Sequence, residues 1–180
     1  SFAMSAALES AVRIANSKTV FQSGAPRLSA AELAFCQFTD ICANGSNVQE
    51  SYDFMADAGL VPQADYPYTD HQQYCNADLL DAERVTRASN LLGFGTIDAM
   101  TKYLREQGPL VATFDVHEDF YGYSSGIYSV SAGSQRDGGH AVLVTGYGKT
   151  PLGVHYWIAQ NSWGWGWGND GSFRIRFGEA

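Results

Sequence analysis

The stretch Val154-His155-Tyr156-Trp157-Ile158-Ala159-Gln160-Asn161-Ser162-Trp163-Gly164-Trp165-Gly166-Trp167-Gly168 decides how the second half of this chain is read. An apolar run over Val154–Ala159 reads as a strand, and the Asn-Ser-Trp-Gly segment after it reads as a turn. A second run, Ala141-Val142-Leu143-Val144, is introduced by Gly138-Gly139-His140 and extends to Tyr147. That spacing predicts a strand with His140 at its mouth. The turn would then bring the Asn161 amide and the Trp163 indole alongside the imidazole.

Working outward, Leu110–Phe114 and Ser172–Phe177 read as two further strands, and Ile97–Glu106 as a helix closed by Gly108-Pro109. The first half is different in character. Phe2, Ala6, Leu8, Ala11, Val12 and Ile14 lie among good helix formers between Ser1 and about Asn16, and Gly24-Ala25-Pro26 ends the segment that follows. Ser29-Ala30-Ala31-Glu32 has the form of a capping box, in which the hydroxyl and the carboxylate would each satisfy an orphan amide. Val48, Tyr52, Met55 and Ala56 recur at helical spacing, with Gly59 as the stop. Tyr66-Pro67-Tyr68 sits in a loop running from Pro62 to Thr69. Helices first and antiparallel strands later describe an α+β chain with segregated elements. The expected division is a mostly helical lobe over 1–86 and a mostly β lobe over 87–180, and a cleft between two such lobes is a natural ligand site.

The totals bound the possibilities. The chain has 180 residues, of which 45% are hydrophobic and 17% charged, so it is globular and large enough for a real core. A net charge of −8 leaves no basic stripe for nucleic acid. No apolar run is long enough to cross a bilayer, so no membrane role is expected. Three cysteines, Cys36, Cys42 and Cys75, are an odd number. Either all are buried thiols or, in an extracellular setting, one is free or pairs with something outside the chain.

His140 is the histidine placed for chemistry. Glycines before it permit close approach of the backbone, and the strand after it would hold the ring rigidly, as a general base requires. His71, His117 and His155 lie in loops or polar contexts. The side-chain oxygen of Asn161 would accept from one imidazole nitrogen, fix the tautomer and free the other nitrogen for a nucleophile. An amide suits a thiol, whose low pKa already permits a thiolate–imidazolium pair. Trp163 would cover that hydrogen bond.

Taken together, these features resemble the papain-like cysteine peptidases. The residues that carry the resemblance run from Ser1-Phe2-Ala3 to Glu9, through Leu28–Leu33 with Cys36, Cys42-Ala43-Asn44-Gly45-Ser46 and Tyr66-Pro67-Tyr68 with Cys75. They continue through Gly108-Pro109-Leu110 and Ser125-Gly126-Ile127-Tyr128 to Gly139-His140-Ala141-Val142 and Asn161-Ser162-Trp163-Gly164 with Gly166-Trp167-Gly168.

The resemblance implies a two-lobed papain-like fold, with a helical left lobe and an antiparallel β right lobe that flank an active-site cleft. His140 would be the catalytic imidazole, Asn161 its orienter and Trp163 its shield. Gly45 and Ser46 would present backbone groups to an extended peptide. Val48, Thr113 and Ala141 would build the apolar pocket for the second residue before the scissile bond, with Gly139 beside them. Cys36 and Cys75 match a family disulfide, and Cys42 matches a cysteine whose partner lies upstream of Ser1. No cofactor or metal is implied.

Three departures from the pattern bear on function. Ser1 aligns just after the family's Cys-Gly-Ser-Cys-Trp signature, so the nucleophilic cysteine and the oxyanion glutamine are expected upstream of Ser1 or on a separate N-terminal fragment linked through Cys42. Ser46 stands where the family usually has a second glycine. The chain also ends at Gly178-Glu179-Ala180, before the family's C-terminal stretch, so a catalytic domain truncated at both ends is expected. Asn44-Gly45-Ser46 is in addition a glycosylation acceptor sequence, expected to stay unoccupied on the floor of the cleft. A cysteine peptidase acting on peptide or protein substrates, secreted or lysosomal/vacuolar, is the expectation. The alternatives are an inactive papain-like binding module and a Cys-His acyl transferase of another kind.

Overall fold

The computed structural model describes residues 1–16, 27–37, 41–69, 71, 73–75, 79 and 82–179, together with the backbone but not the side chain of Cys42. It divides into two compact units, Ser1–Gly93 and Phe94–Ala180.

The first unit is helical. Its elements are α1 (Phe2–Ala15), α2 (Ala30–Phe35), α3 (Ile41–Asn44) and α4 (Val48–Asp57). Helix α1 runs one residue short of the expected span at each end, and Gly24-Ala25-Pro26 lies outside the described residues. Asn47 caps α4 by accepting from Gln49 and Glu50 N–H. Beyond its end Gly59 adopts φ +78°, where a Cβ would meet Thr86 O at 2.6 Å. Only glycine fits that turn. Ala31, Val61, Tyr66 and Leu79 form a buried cluster, with Phe35 and Cys36 packed against it.

The capping box forms by half. Ser29 Oγ accepts from Glu32 N–H at 2.9 Å as expected. The Glu32 carboxylate does not return to Ser29 N–H, because that donor is taken by Val61 O at 3.0 Å. Glu32 is 1% exposed; its Oε2 accepts from Val61 N–H at 2.8 Å and its Oε1 pairs with Arg84. Arg84 also donates to Leu79 O at 2.9 Å. The carboxylate thus staples α2 to two later segments instead of capping its own helix. Cys36 and Cys75 are joined in a disulfide across 39 residues, a loop whose closure is worth about 4 kcal/mol of unfolded-chain entropy.

The second unit begins with α5 (Ile97–Glu106), which matches the expected helix end to end and is capped by Thr96 Oγ1 on Ala99 N–H. A four-stranded antiparallel sheet follows in the order β1 (Leu110–His117), β2 (Arg136–Lys149), β3 (His155–Gln160), β4 (Ser172–Arg176). A 3₁₀ turn, Glu118–Gly122, leads away from β1. Phe114, Phe120, Tyr128, Val142, Val144, Trp157, Ala159, Phe173 and Ile175 make the core, and Met100, Tyr103 and Leu104 of α5 pack against it. All four strands appear where the apolar runs predict them.

Candidate active site

β2 is longer than its apolar run, and this moves His140. The ladder to β1 starts at Arg136 and runs through Gly138 and Gly139, so His140 sits inside the strand opposite Phe114 and not at its mouth. The two glycines that introduce His140 lie inside the ladder, with their backbone groups paired with Val116 and Asp115. The ladder is irregular just there. Val116 pairs with Gly138 and His117 with Arg136, which leaves Asp137 as the extra residue of a β-bulge.

Asn161 follows the last residue of β3. Its N–H donates to Gly171 O at 2.9 Å, and Gln160 Nε2 donates to Gly171 O at 2.8 Å and to Asn161 O at 3.2 Å. Those bonds tie the end of β3 across the turn leading into β4. Within that turn Gly168 holds φ +62°, where a Cβ would stand 2.6 Å from Ser172 O.

The pinned backbone aims Asn161 Oδ1 at His140 Nε2, 2.9 Å away. Ser162 N–H donates to the same oxygen at 2.8 Å. A backbone N–H can face only an acceptor, so this contact settles which end of the amide is oxygen. Nε2 must therefore carry the proton of the His140–Asn161 bond. In the neutral ring the bare, proton-accepting nitrogen is Nδ1, which makes no hydrogen bond among the described residues. Asn161 is 6% exposed, and its Nδ2 is buried without a partner among the described residues. An orphan of this kind costs about 1–3 kcal/mol, which suits an amide held for its oxygen.

Burial pushes the His140 pKa down from 6.5, and the bond to Asn161, which favours the charged ring, pulls the other way. The net direction is downward, so the neutral, Nδ1-basic form is favoured. Trp163 lies over the imidazole with ring centroids 5.2 Å apart and planes 27° from parallel. Phe120 and Trp167 meet the indole edge-on at 5.5 and 5.0 Å. Contacts of this type are worth about 0.5–1.5 kcal/mol each and fix the indole plane.

The structure brings His140, Asn161 and Trp163 together. On the opposite face of the sheet, Thr113 and Ala141 are cross-strand partners. Thr113 and Gly139 line a hollow of ≈ 490 Å³ with Phe114, Asp115, Gly178 and Glu179. Gly45, Ser46 and Val48 lie in the helical unit, at the end of α3 and the start of α4, where Gly45 has φ +69° and Gly45 and Ser46 are exposed. The Cys42 side chain, and with it the expected external link, is outside the described residues. Among the described residues no group of three or more His, Cys, Asp or Glu could hold a metal ion.

Some supporting residues escaped the sequence reading. Asp119 anchors the 3₁₀ turn beneath Trp163: it accepts from Tyr128 Oη at 2.7 Å, Ser134 Oγ at 2.9 Å and Ser131 N–H at 2.8 Å. Burial works to raise its pKa, but these bonds outweigh burial and hold the carboxyl far below the usual range. Its signal in sequence is one acidic residue in a polar loop, which points nowhere.

The chain belongs to the papain family of cysteine proteases: the sequence profile described as "Papain family cysteine protease" matches residues 1–180. It is 36% identical over 148 residues to cathepsin B-like CP2 of Giardia intestinalis, covering 78% of this chain and 49% of that protein. Fruit bromelain of Ananas comosus is 30% identical over 156 residues, covering 84% of this chain and 42% of bromelain. The chain spans about half the length of the curated relatives it matches. Among solved structures, digestive procathepsin L 3 from Tenebrio molitor larval midgut superposes with a TM-score of 0.79 at 28% identity, covering 97% of this chain and 56% of that one. The bromelain protease of Ananas comosus, solved with the E64 inhibitor, gives a TM-score of 0.77 at 25% identity, covering 97% and 77%. The α+β, papain-like fold is that of these neighbours.

Proposed function

We propose that this chain is the histidine- and asparagine-bearing part of a cysteine peptidase that hydrolyses peptide bonds. The nucleophilic thiol comes from a cysteine upstream of Ser1 or on a separate chain. The observation that carries the reading is the His140–Asn161 bond: it fixes a proton on Nε2 and leaves Nδ1 as an unengaged base. Cys36 and Cys75 are committed to each other in a disulfide, and neither has a thiol to offer.

With a cysteine thiol at Nδ1, proton transfer gives a thiolate–imidazolium pair. Sulfur attacks the scissile carbonyl carbon, and the imidazolium protonates the amine as the C–N bond breaks. Water then gives a proton to Nδ1 while its oxygen attacks the thioester, releasing the acid and restoring the thiol. Asn161 orients the ring without placing a negative charge beside it, and Trp163 keeps water from competing for the Nε2–H bond. Thr113, Gly139 and Ala141, with Gly45, Ser46 and Val48 of the helical unit, are the proposed peptide-binding residues.

The disulfide supports an oxidising destination, secreted or lysosomal/vacuolar. No helix among the described residues is long and apolar enough to cross a membrane. Cys42 is proposed to bind an N-terminal fragment; intact mass before and after reduction would reveal it as a loss equal to that fragment.

The decisive kinetic test is His140→Ala in the complete protein, with a peptide substrate. A loss in kcat/KM of well over tenfold, about 1.4 kcal/mol in barrier, is expected, and a smaller loss contradicts an acid–base role.

A further inference from the structure

Trp163 is stacked against two rings, His140 at 5.2 Å with planes 27° apart and Tyr121 at 5.2 Å with planes 13° apart. Tyr121 belongs to the 3₁₀ turn after β1, and nothing in its own element fixes the phenol ring over the indole. What fixes it comes from elsewhere: Tyr121 Oη donates to Asp137 Oδ2 at 2.5 Å. Asp137 is the bulged residue of β2, three positions before His140. A bulge re-aims the side chain it carries, and here the carboxylate lands on the tyrosine. The turn is held a second time where Trp167 Nε1 donates to Tyr121 O at 3.0 Å.

The contacts close a circuit: His140, Trp163, Tyr121, Asp137 and back along β2 to His140. We propose that Tyr121 and Asp137 are positioning residues, a phenol–carboxylate clamp that holds Trp163 down over the His140–Asn161 hydrogen bond and so limits water access to it. This deepens the proposed peptidase reading, since it assigns parts to the same imidazole. Both ends of the clamp are anchored in the unit that bears His140, and the bond is of the short, charge-assisted kind. Its Tyr121 partner is half exposed, which places the clamp at the rim where water would otherwise enter.

The test uses the complete protein and reads exchange of the His140 Nε2–H with water by ¹⁵N-edited NMR, alongside thermal unfolding. Tyr121→Phe keeps the ring and removes the bond; Asp137→Ala removes the acceptor; Asp137→Asn restores one. Exchange is expected to speed up about tenfold in the first two and to return within about twofold of wild type in Asp137→Asn. Equal exchange in all four proteins overturns the clamp. So does acceleration in Asp137→Ala that Asp137→Asn fails to reverse, because charge and not the bond would then be responsible. If Asp137→Ala does not fold, Tyr121→Phe against wild type decides alone. The readout needs no turnover: an inactive protein showing this exchange pattern would refute the peptidase reading and leave the clamp standing.

Discussion

Ser162 N–H and His140 Nε2 converge on one atom, Asn161 Oδ1, at 2.8 and 2.9 Å. The backbone donor is fixed by the chain, so it holds the amide oxygen in place whether or not the imidazole is charged. Asn161→Ala removes the acceptor for both donors. In the complete protein it is expected to lower kcat/KM by about tenfold to a hundredfold, matching 1.4–2.7 kcal/mol of lost orientation. Asn161→Asp keeps both bonds but adds a negative charge, so the His140 pKa should rise. NMR titration of the ring checks this, and an unchanged or lowered value would refute the geometry.

Acid acts on the β unit through groups whose signs can be worked out, His140 and Asp119 among them. His140 is depressed below 6.5 by burial, so on acidification the unfolded chain takes up its proton first and the fold loses stability as pH falls from about 6.5 toward the folded value. Asp119 is depressed below 3.8 despite burial, because its hydrogen bonds favour the carboxylate; its contribution is present above the unfolded value and is lost as pH falls below it. Urea midpoints at pH 7.5 and 5.5 should decline less in His140→Gln than in wild type. An equal decline would mean the imidazole is not the group responsible.

Glu32→Ala strips Val61 N–H of its acceptor and Arg84 of its partner in one change. Breaking a buried pair from one side costs about 3 kcal/mol, and Glu32→Gln, which keeps an acceptor, should cost about 1–2 kcal/mol. Equilibrium urea unfolding measures both. A Glu32→Ala protein within 1 kcal/mol of wild type would show that the staple contributes little.

What the residues disclose unaided is local. Apolar periodicity located α5 to the residue and all four strands, because those patterns need only a buried face. Ser29 is legible as a cap because its hydroxyl needs only the Glu32 N–H three residues on. Glu32 does not close the box because its partner lies 29 residues away: once Val61 O occupies Ser29 N–H, the carboxylate turns to Val61 N–H and Arg84 instead. The Gly138-Gly139 pair looked like the edge of a strand, but paired backbone does not require side chains, and the ladder runs through them. His140, Asn161 and Trp163 were nameable because family motifs mark them. Tyr121 and Asp137 carry no motif; their relation exists only after a bulge and a 3₁₀ turn bring them together.

In the proposed function His140 serves the thiol of a cysteine other than Cys36, Cys42 and Cys75. Labelling the complete protein with a thiol-directed epoxide, followed by peptide mapping, tests it directly. The expected result is one label, on a cysteine other than Cys36, Cys42 and Cys75, formed at least tenfold more slowly in His140→Ala. No label at any pH from acid to neutral, or a label on one of those three cysteines, would contradict it.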